Sequence, residues 1–193
     1  MDTKIYFIAI SLTLATALQA CVPLVVGAAA TGVSVVHDRR TAGAVLDDQS
    51  IEIKARSALN ADKEIYDQTH NNVTSYNGIV LITGEAPSEG LRNRIADVVR
   101  PLDKVRTVHN EMVIAAPSSL SARSSDTLLT GKVKSRLIGT KDIDSTRIKV
   151  VTEGGAVFLM GVVTHGEADT ATEIARTTDG VQRVVKVFEY VEG

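Results

Sequence analysis

Apolar residues recur along the chain in two spacings that alternate in the same order twice. Ile51, Ala55, Ala58 and Leu59 fall three and four residues apart, as do Leu129, Val133 and Leu137. That spacing puts each set on one face of a helix. Asp48 in the first set, and Ser125 or Asp126 in the second, stand where an N-cap is expected. Each helix is followed by a strand-like segment, residues 69–76 with Val73 inward and residues 147–153. A turn pair then follows, Asn77-Gly78 or Gly154-Gly155. Both positions of such a pair tolerate positive φ, so each marks a tight hairpin. Short apolar runs come next, Ile79-Val80-Leu81-Ile82 and Ala156-Val157-Phe158-Leu159-Met160, closed by Gly84 and Gly161. They are short and β-branched enough to be buried strands.

The remainder of each copy returns to helical spacing. Leu91, Ile95, Val98 and Val99 form the stripe of a helix opened by Pro87, whose missing N–H costs nothing in a first turn, and ended by Pro101. Ala168, Ala171, Ile174 and Ala175 repeat that stripe. A last strand is predicted over residues 105–114 in the first copy and 181–191 in the second. The fold class is therefore α+β: two tandem α-β-β-α-β modules, each a small three-stranded sheet packed by two helices. The modules are placed at residues 47–114 and 126–193, joined by a Ser-rich linker at 115–125. Each is small for a self-sufficient core, which leaves contact between the copies open.

The N-terminus follows neither pattern. Residues 5–17 are an apolar run of signal-peptide length, preceded by Lys4, so residues 1–20 are set aside as a signal peptide. The run ends in Leu18-Gln19-Ala20-Cys21, which holds the sole cysteine of the 193 residues. One cysteine in an exported chain forms no internal disulfide. Leu, a small residue and Cys after an apolar run resemble a bacterial lipobox. The resemblance implies that Cys21 is acylated and becomes the first residue of the mature chain. Val22 after the cysteine, where an Asp would imply retention in the inner membrane, implies the outer membrane. Residues 21–46 are read as the lipidated end and a tether.

A net charge of −2 and an aromatic content of 4% without Trp argue against a nucleic-acid partner. No cofactor is indicated and no enzyme is expected. His37, His70, His109 and His165 lie in different elements without metal-ligand spacing, so no metal site is read from them. His70 and His109 could meet across paired strands, but a surface role is the expectation. No Gly-x-Ser-x-Gly nucleophile motif occurs, and no Lys-Ser/Thr follows the paired glycines.

The tandem α-β-β-α-β order, with its Gly-x-Val-x-Leu-x-Gly hairpins at residues 78–84 and 155–161, resembles the BON-domain family. Asp179-Gly180-Val181 with Val184 also fits that family's late turn, whereas the first copy departs there with Asp103-Lys104-Val105 and Pro101. With the lipobox, the chain is similar to tandem BON-domain outer-membrane lipoproteins. The resemblance implies anionic phospholipid binding and a role in envelope integrity at the division site.

The first helices of the two copies show where such binding could reside. Opposite the core face of the second lie Leu128, Gly131, Ser135 and Ile138, whereas Ser50 and Asn60 hold the places of Leu128 and Ile138 in the first. The second helix also carries Lys132, Lys134, Arg136 and Lys141 against Asp126, while charges balance over the matching residues 48–63. Basic residues beside exposed apolar ones suit a helix lying at a lipid interface. The expectation is that Leu128 and Ile138 insert while Lys132, Lys134, Arg136 and Lys141 hold anionic head groups. Where the family's helix carries an aromatic near its start, this chain has Leu128. Two alternatives stay open: Leu128 and Ile138 pack on the first module, or the protein is a scaffold for an outer-membrane or envelope assembly factor, recruited through the sheet edge at residues 105–114. Oligomeric state is not readable from the sequence.

Overall fold

A computed structural model of the chain describes residues 38–141 and 143–192; the segment 1–20 expected to be a signal peptide and Cys21 lie outside them. The first module runs α1 (Ala42–Ala61), α2 (Lys63–Gln68), β1 (His70–Tyr76), β2 (Ile79–Ala86), α3 (Glu89–Val99), β3 (Thr107–Asn110) and β4 (Val113–Ile114). The second runs α4 (Leu120–Ile138), a 3-10 turn (Ser145–Arg147), β5 (Ile148–Glu153), β6 (Ala156–Val163), α5 (His165–Arg176) and β7 (Arg183–Tyr190). The expected α-β-β-α-β order is present twice. The first copy adds the short α2 and breaks its last strand in two.

Both hairpins turn as their sequences require. Asn77 and Gly78 have φ of 53° and 74°, and Gly154 and Gly155 have 56° and 73°. The closing glycines answer to a close backbone approach. A Cβ on Gly84 would stand 2.0 Å from the His70 carbonyl oxygen, and one on Gly161 2.4 Å from that of Arg147. In each sheet the middle strand pairs antiparallel with the strand before it and parallel with the strand after the helix. The parallel return needs a crossover, which α3 and α5 supply.

The middle strands are apolar on both faces because both faces are covered. Val80, Ile82 and Ala86 pack beneath α1 and α3 with Ile51, Ala55, Leu59, Leu91 and Ile95. Val157, Leu159 and Val163 do the same beneath α4 and α5. The alternate residues form a third core, in which Tyr76 and Leu81 of the first module meet Phe158, Met160, Val162 and Val187 of the second. The two sheets therefore pack face to face, and the contact left open by the sequence is a buried one. Polar groups frame it. The Tyr76 hydroxyl donates to the Arg147 carbonyl at 3.1 Å, Lys149 reaches Glu52 at 2.8 Å, and Arg106 grips Glu189 through both terminal nitrogens at 3.0 and 3.1 Å.

Both first helices begin earlier than the sequence suggests. Thr41, not Asp48, caps α1, its hydroxyl accepting from the Ala44 amide at 3.1 Å. Ser119, not Ser125 or Asp126, caps α4. The two aspartates do something else. Asp48 is buried within α1 and accepts from the Ser75 hydroxyl at 2.6 Å and the Asn77 and Gly78 amides at 2.7 and 2.9 Å. Asp126, within α4, accepts from the Gly154 and Gly155 amides, each at 2.9 Å. Each module thus ties its hairpin turn to its first helix through one carboxylate, occupying amides that a type I′ turn leaves without ladder partners.

Candidate functional site

The outer face of α4 carries the residues singled out above. Leu129, Val133 and Leu137 are buried and fix the direction of the core. At about 100° per residue, Leu128 and Ile138 lie roughly 140° to either side of that direction. The structure leaves Leu128 70% and Ile138 73% exposed. Neither belongs to the core between the sheets, so packing on the first module is not their role.

Lys132 and Lys134 lie on the two flanks of this face, and both are exposed. Lys132 comes within 4.0 Å of the exposed Asp179, a contact worth little at a solvated surface. Lys134 borders a cleft with Arg40, Glu52, Tyr76 and Lys149. Lys141 is exposed just past the C-cap Gly139. Arg136 is differently employed. Its Nη1 donates to the Ile174 carbonyl at 2.9 Å and the Thr178 hydroxyl at 2.7 Å, and its Nη2 to the Thr177 hydroxyl at 3.1 Å. The guanidinium thereby latches α4 to the C-terminal end of α5, where cations are favoured by the helix dipole.

Two features of the surface were not read from the sequence. Leu120, 79% exposed, lies eighteen residues before Ile138 and in line with it, extending the apolar line to about 27 Å. It was hidden because residues 115–125 look like a Ser-rich linker. Their hydroxyls in fact bond back into the helix: Ser124 to the Leu120 carbonyl at 2.9 Å and Ser125 to that of Ser121 at 3.1 Å. Second, α1 is not polar on its outer face. Leu46 and Ile53 are 63% and 69% exposed, one face apart by seven residues, so the contrast expected from Ser50 and Asn60 alone is incomplete.

Residues 38–40 lead from the N-terminal segment into this pair of modules. Arg39 donates to the Val162 carbonyl at 3.0 Å and pairs with Glu167. Arg40 bonds Asp48 at 2.9 Å and lies 3.8 Å above the centre of the Tyr76 ring. Burial would raise the Glu167 carboxyl, but bonds from Arg39, the Thr164 amide and Arg147 outweigh it and hold it at about 2. Among the described residues no helix is long and apolar enough to cross a membrane.

His70 and His109 do not meet. They flank β2 at different levels, His70 opposite Glu85 and His109 opposite Leu81.

Comparison with known proteins agrees with this architecture. The BON domain model matches residues 47–116 and again 125–192. The chain is 35% identical over 91% of its length, and 91% of the relative's, to "Outer membrane lipoprotein DolP" of Haemophilus influenzae. It is 33% identical to the "21 kDa hemolysin" of Actinobacillus pleuropneumoniae, over 80% of both chains. Identity to "Osmotically-inducible protein Y" of Escherichia coli is 28%, over 74% of this chain and 72% of that one.

Proposed function

The chain belongs to the BON domain family, and from that premise we propose that it is an outer-membrane lipoprotein whose second module binds anionic phospholipid. Cys21 carries the lipid, the modules face the periplasm, and the bound lipid supports envelope integrity at the division site. The relative named as an outer-membrane lipoprotein, matched almost end to end, supports the anchoring, as does the lipobox-like Leu18-Gln19-Ala20-Cys21.

One observation carries the lipid reading: Leu128 and Ile138 are both more than two-thirds exposed on a helix flanked by lysines. Each Lys near an anionic surface contributes about 1 kcal/mol, so Lys132, Lys134 and Lys141 supply about 3 kcal/mol before ordering costs. Burying the Leu and Ile tips adds about 2–4 kcal/mol. The sum is a weak contact for a free protein. It is sufficient for a tethered one, because the anchor raises the effective concentration. Arg136 serves this surface by holding α4 in place, with its terminal nitrogens already engaged.

Flotation of the chain lacking residues 1–21 with phospholipid vesicles tests the proposal. Binding is expected only when the vesicles contain anionic lipid, and it should weaken as salt rises. Leu128→Glu with Ile138→Glu should abolish it. Undiminished flotation of that double variant would show that α4 is not the lipid-binding element.

A second reading rests on β4, where Val113 and Ile114 are 51% and 50% exposed beside β2. An apolar edge of this kind could recruit a strand of an outer-membrane or envelope protein. Cross-linking through Val113 in cells, yielding a protein adduct with no lipid dependence, would favour it.

A further inference from the structure

Three side chains from three strands converge where the sheets meet. His70 opens β1 and stands directly opposite Glu85 of β2 in the ladder, while Glu153 ends β5 of the other module. One ligand atom from each lies within 4.8 Å of the other two. The His70 Nε2 is 3.5 Å from Glu153 Oε1. Glu85 is 6% exposed, and the side chains of His70 and Glu153 are 17% and 10% exposed.

Such a group is poorly compensated as it stands. Two carboxylates share one buried corner, and among the described residues the contact to them from a basic side chain is that of the His70 imidazole with Glu153. The remaining donors are neutral. The Ser118 amide reaches Glu85 Oε2 at 3.1 Å, while Asn72 and the Thr83 hydroxyl approach Glu153 Oε2 at 3.4 and 3.3 Å. Buried charge in this balance is costly unless an opposite charge joins it. The neutral donors also leave Glu153 Oε1 turned to His70, and they hold both carboxylates in orientation, as outer partners of a metal site do.

We propose that His70, Glu85 and Glu153 form a divalent metal site of the zinc type, which staples the two modules together. The ligand chemistry narrows the ion. One imidazole nitrogen with two carboxylates suits zinc and similar divalent first-row ions, whereas calcium and magnesium take six or more oxygens and soft ions such as copper(I) prefer thiolates. Around zinc, at bonds of about 2.0–2.2 Å, neighbouring ligand atoms stand roughly 3.3–3.5 Å apart. The His70–Glu153 separation already has that value, and Glu85 offers an oxygen within 4.8 Å of both. A cleft lined by Glu85, Glu111, Glu153, Gln182 and Arg183 leads to the group. It gives the ion an entry path and a place for a water as fourth ligand. Ligand spacing along the sequence gave no hint, because the β1–β2 hairpin brings residues 70 and 85 together and only sheet-on-sheet packing adds residue 153.

Titration of zinc chloride into the chelator-treated full-length chain in detergent micelles, followed by calorimetry, tests the site. One ion per chain should bind with micromolar or tighter affinity. The melting temperature should rise by about 5–10 °C at a hundredfold excess over Kd. His70→Ala and Glu153→Gln should each weaken binding at least tenfold, while His109→Ala should leave it unchanged. If those variants fold poorly, the unaltered chain still decides the matter. Zinc should shift the His70 imidazole resonances, and cobalt should give the visible bands of a low-coordinate site. No saturable zinc binding below about 1 mM, unchanged affinity in a folded His70→Ala, or shifts confined to other histidines would overturn the proposal.

Discussion

Matched position by position on their buried residues, α1 and α4 share one inner face and differ in their outer faces. Ile51, Ala55 and Leu59 correspond to Leu129, Val133 and Leu137, and Asp48 corresponds to Asp126. Outside, each apolar position of one is small or polar in the other. Leu46 and Ile53 of α1 stand where α4 has Ser124 and Gly131, and Ser50 and Asn60 stand where α4 has Leu128 and Ile138. What separates the helices is therefore where the exposed apolar residues lie and which charges flank them. The inner face is dictated by the fold and stays constant, while the outer face is available to function.

The largest difference expected between the copies concerns the shared aspartate. Asp48 is 3% exposed and bonded to Ser75, Asn77, Gly78 and Arg40. Removing it leaves the Ser75 hydroxyl and the Asn77 and Gly78 amides without that acceptor and Arg40 with Asp38 as its remaining carboxylate partner, a loss of several buried bonds that costs several kcal/mol. Asp126 serves two amides at a turn that water can reach. Asp48→Ala should lower stability by about 3 kcal/mol and Asp126→Ala by about 1 kcal/mol, read from urea denaturation midpoints. Equal losses would mean that burial does not distinguish the two hairpin ties.

The outer faces come next. If apolar exposure alone drew the chain to lipid, α1 should contribute as much as α4. The charge balance says otherwise, because over residues 48–63 acids offset the bases whereas α4 has a surplus of lysine. Leu46→Glu with Ile53→Glu should therefore change vesicle flotation by less than about twofold. The matching double change on α4 should remove about 2–4 kcal/mol of burial, a thirtyfold loss or more. A large loss from the α1 pair would make both helices lipid-facing and dissolve the distinction.

How much of this was legible in the chain follows from what each signal depends on. The hairpins were readable because Asn77-Gly78 and Gly154-Gly155 must adopt positive φ, a local demand written in residue type. The inner helical faces were readable because burial imposes a 3.6-residue spacing. Helix starts were not. The first turns of α1 bury nothing before Asp48, so no apolar period marks them, and the serines opening α4 imitate a linker. The sheet-on-sheet contact was half visible, since an unbroken apolar run such as residues 156–160 is what a strand covered on both faces requires. Which surface covers the second face is a tertiary fact, and Glu153 joins the hairpin partners His70 and Glu85 only through it.

The smallest expected effect isolates the outer face from stability. A Cβ built on Gly131 meets no atom within 4 Å, so packing inside the chain does not require glycine there. Glycine within a helix costs about 0.8–1 kcal/mol relative to alanine. Gly131→Ala should therefore stabilise the chain by nearly that amount in urea denaturation. The informative readout is binding. Gly131 lies between Leu128 and Ile138 on the outer face, and the equivalent place in α1 is taken by the exposed Ile53. A fluid lipid surface accommodates one added methyl group, so flotation should be unchanged or slightly improved. A rigid protein partner seated against the bare backbone would be pushed away. Loss of binding in a more stable variant would thus argue for a protein docked on α4 and against the bilayer.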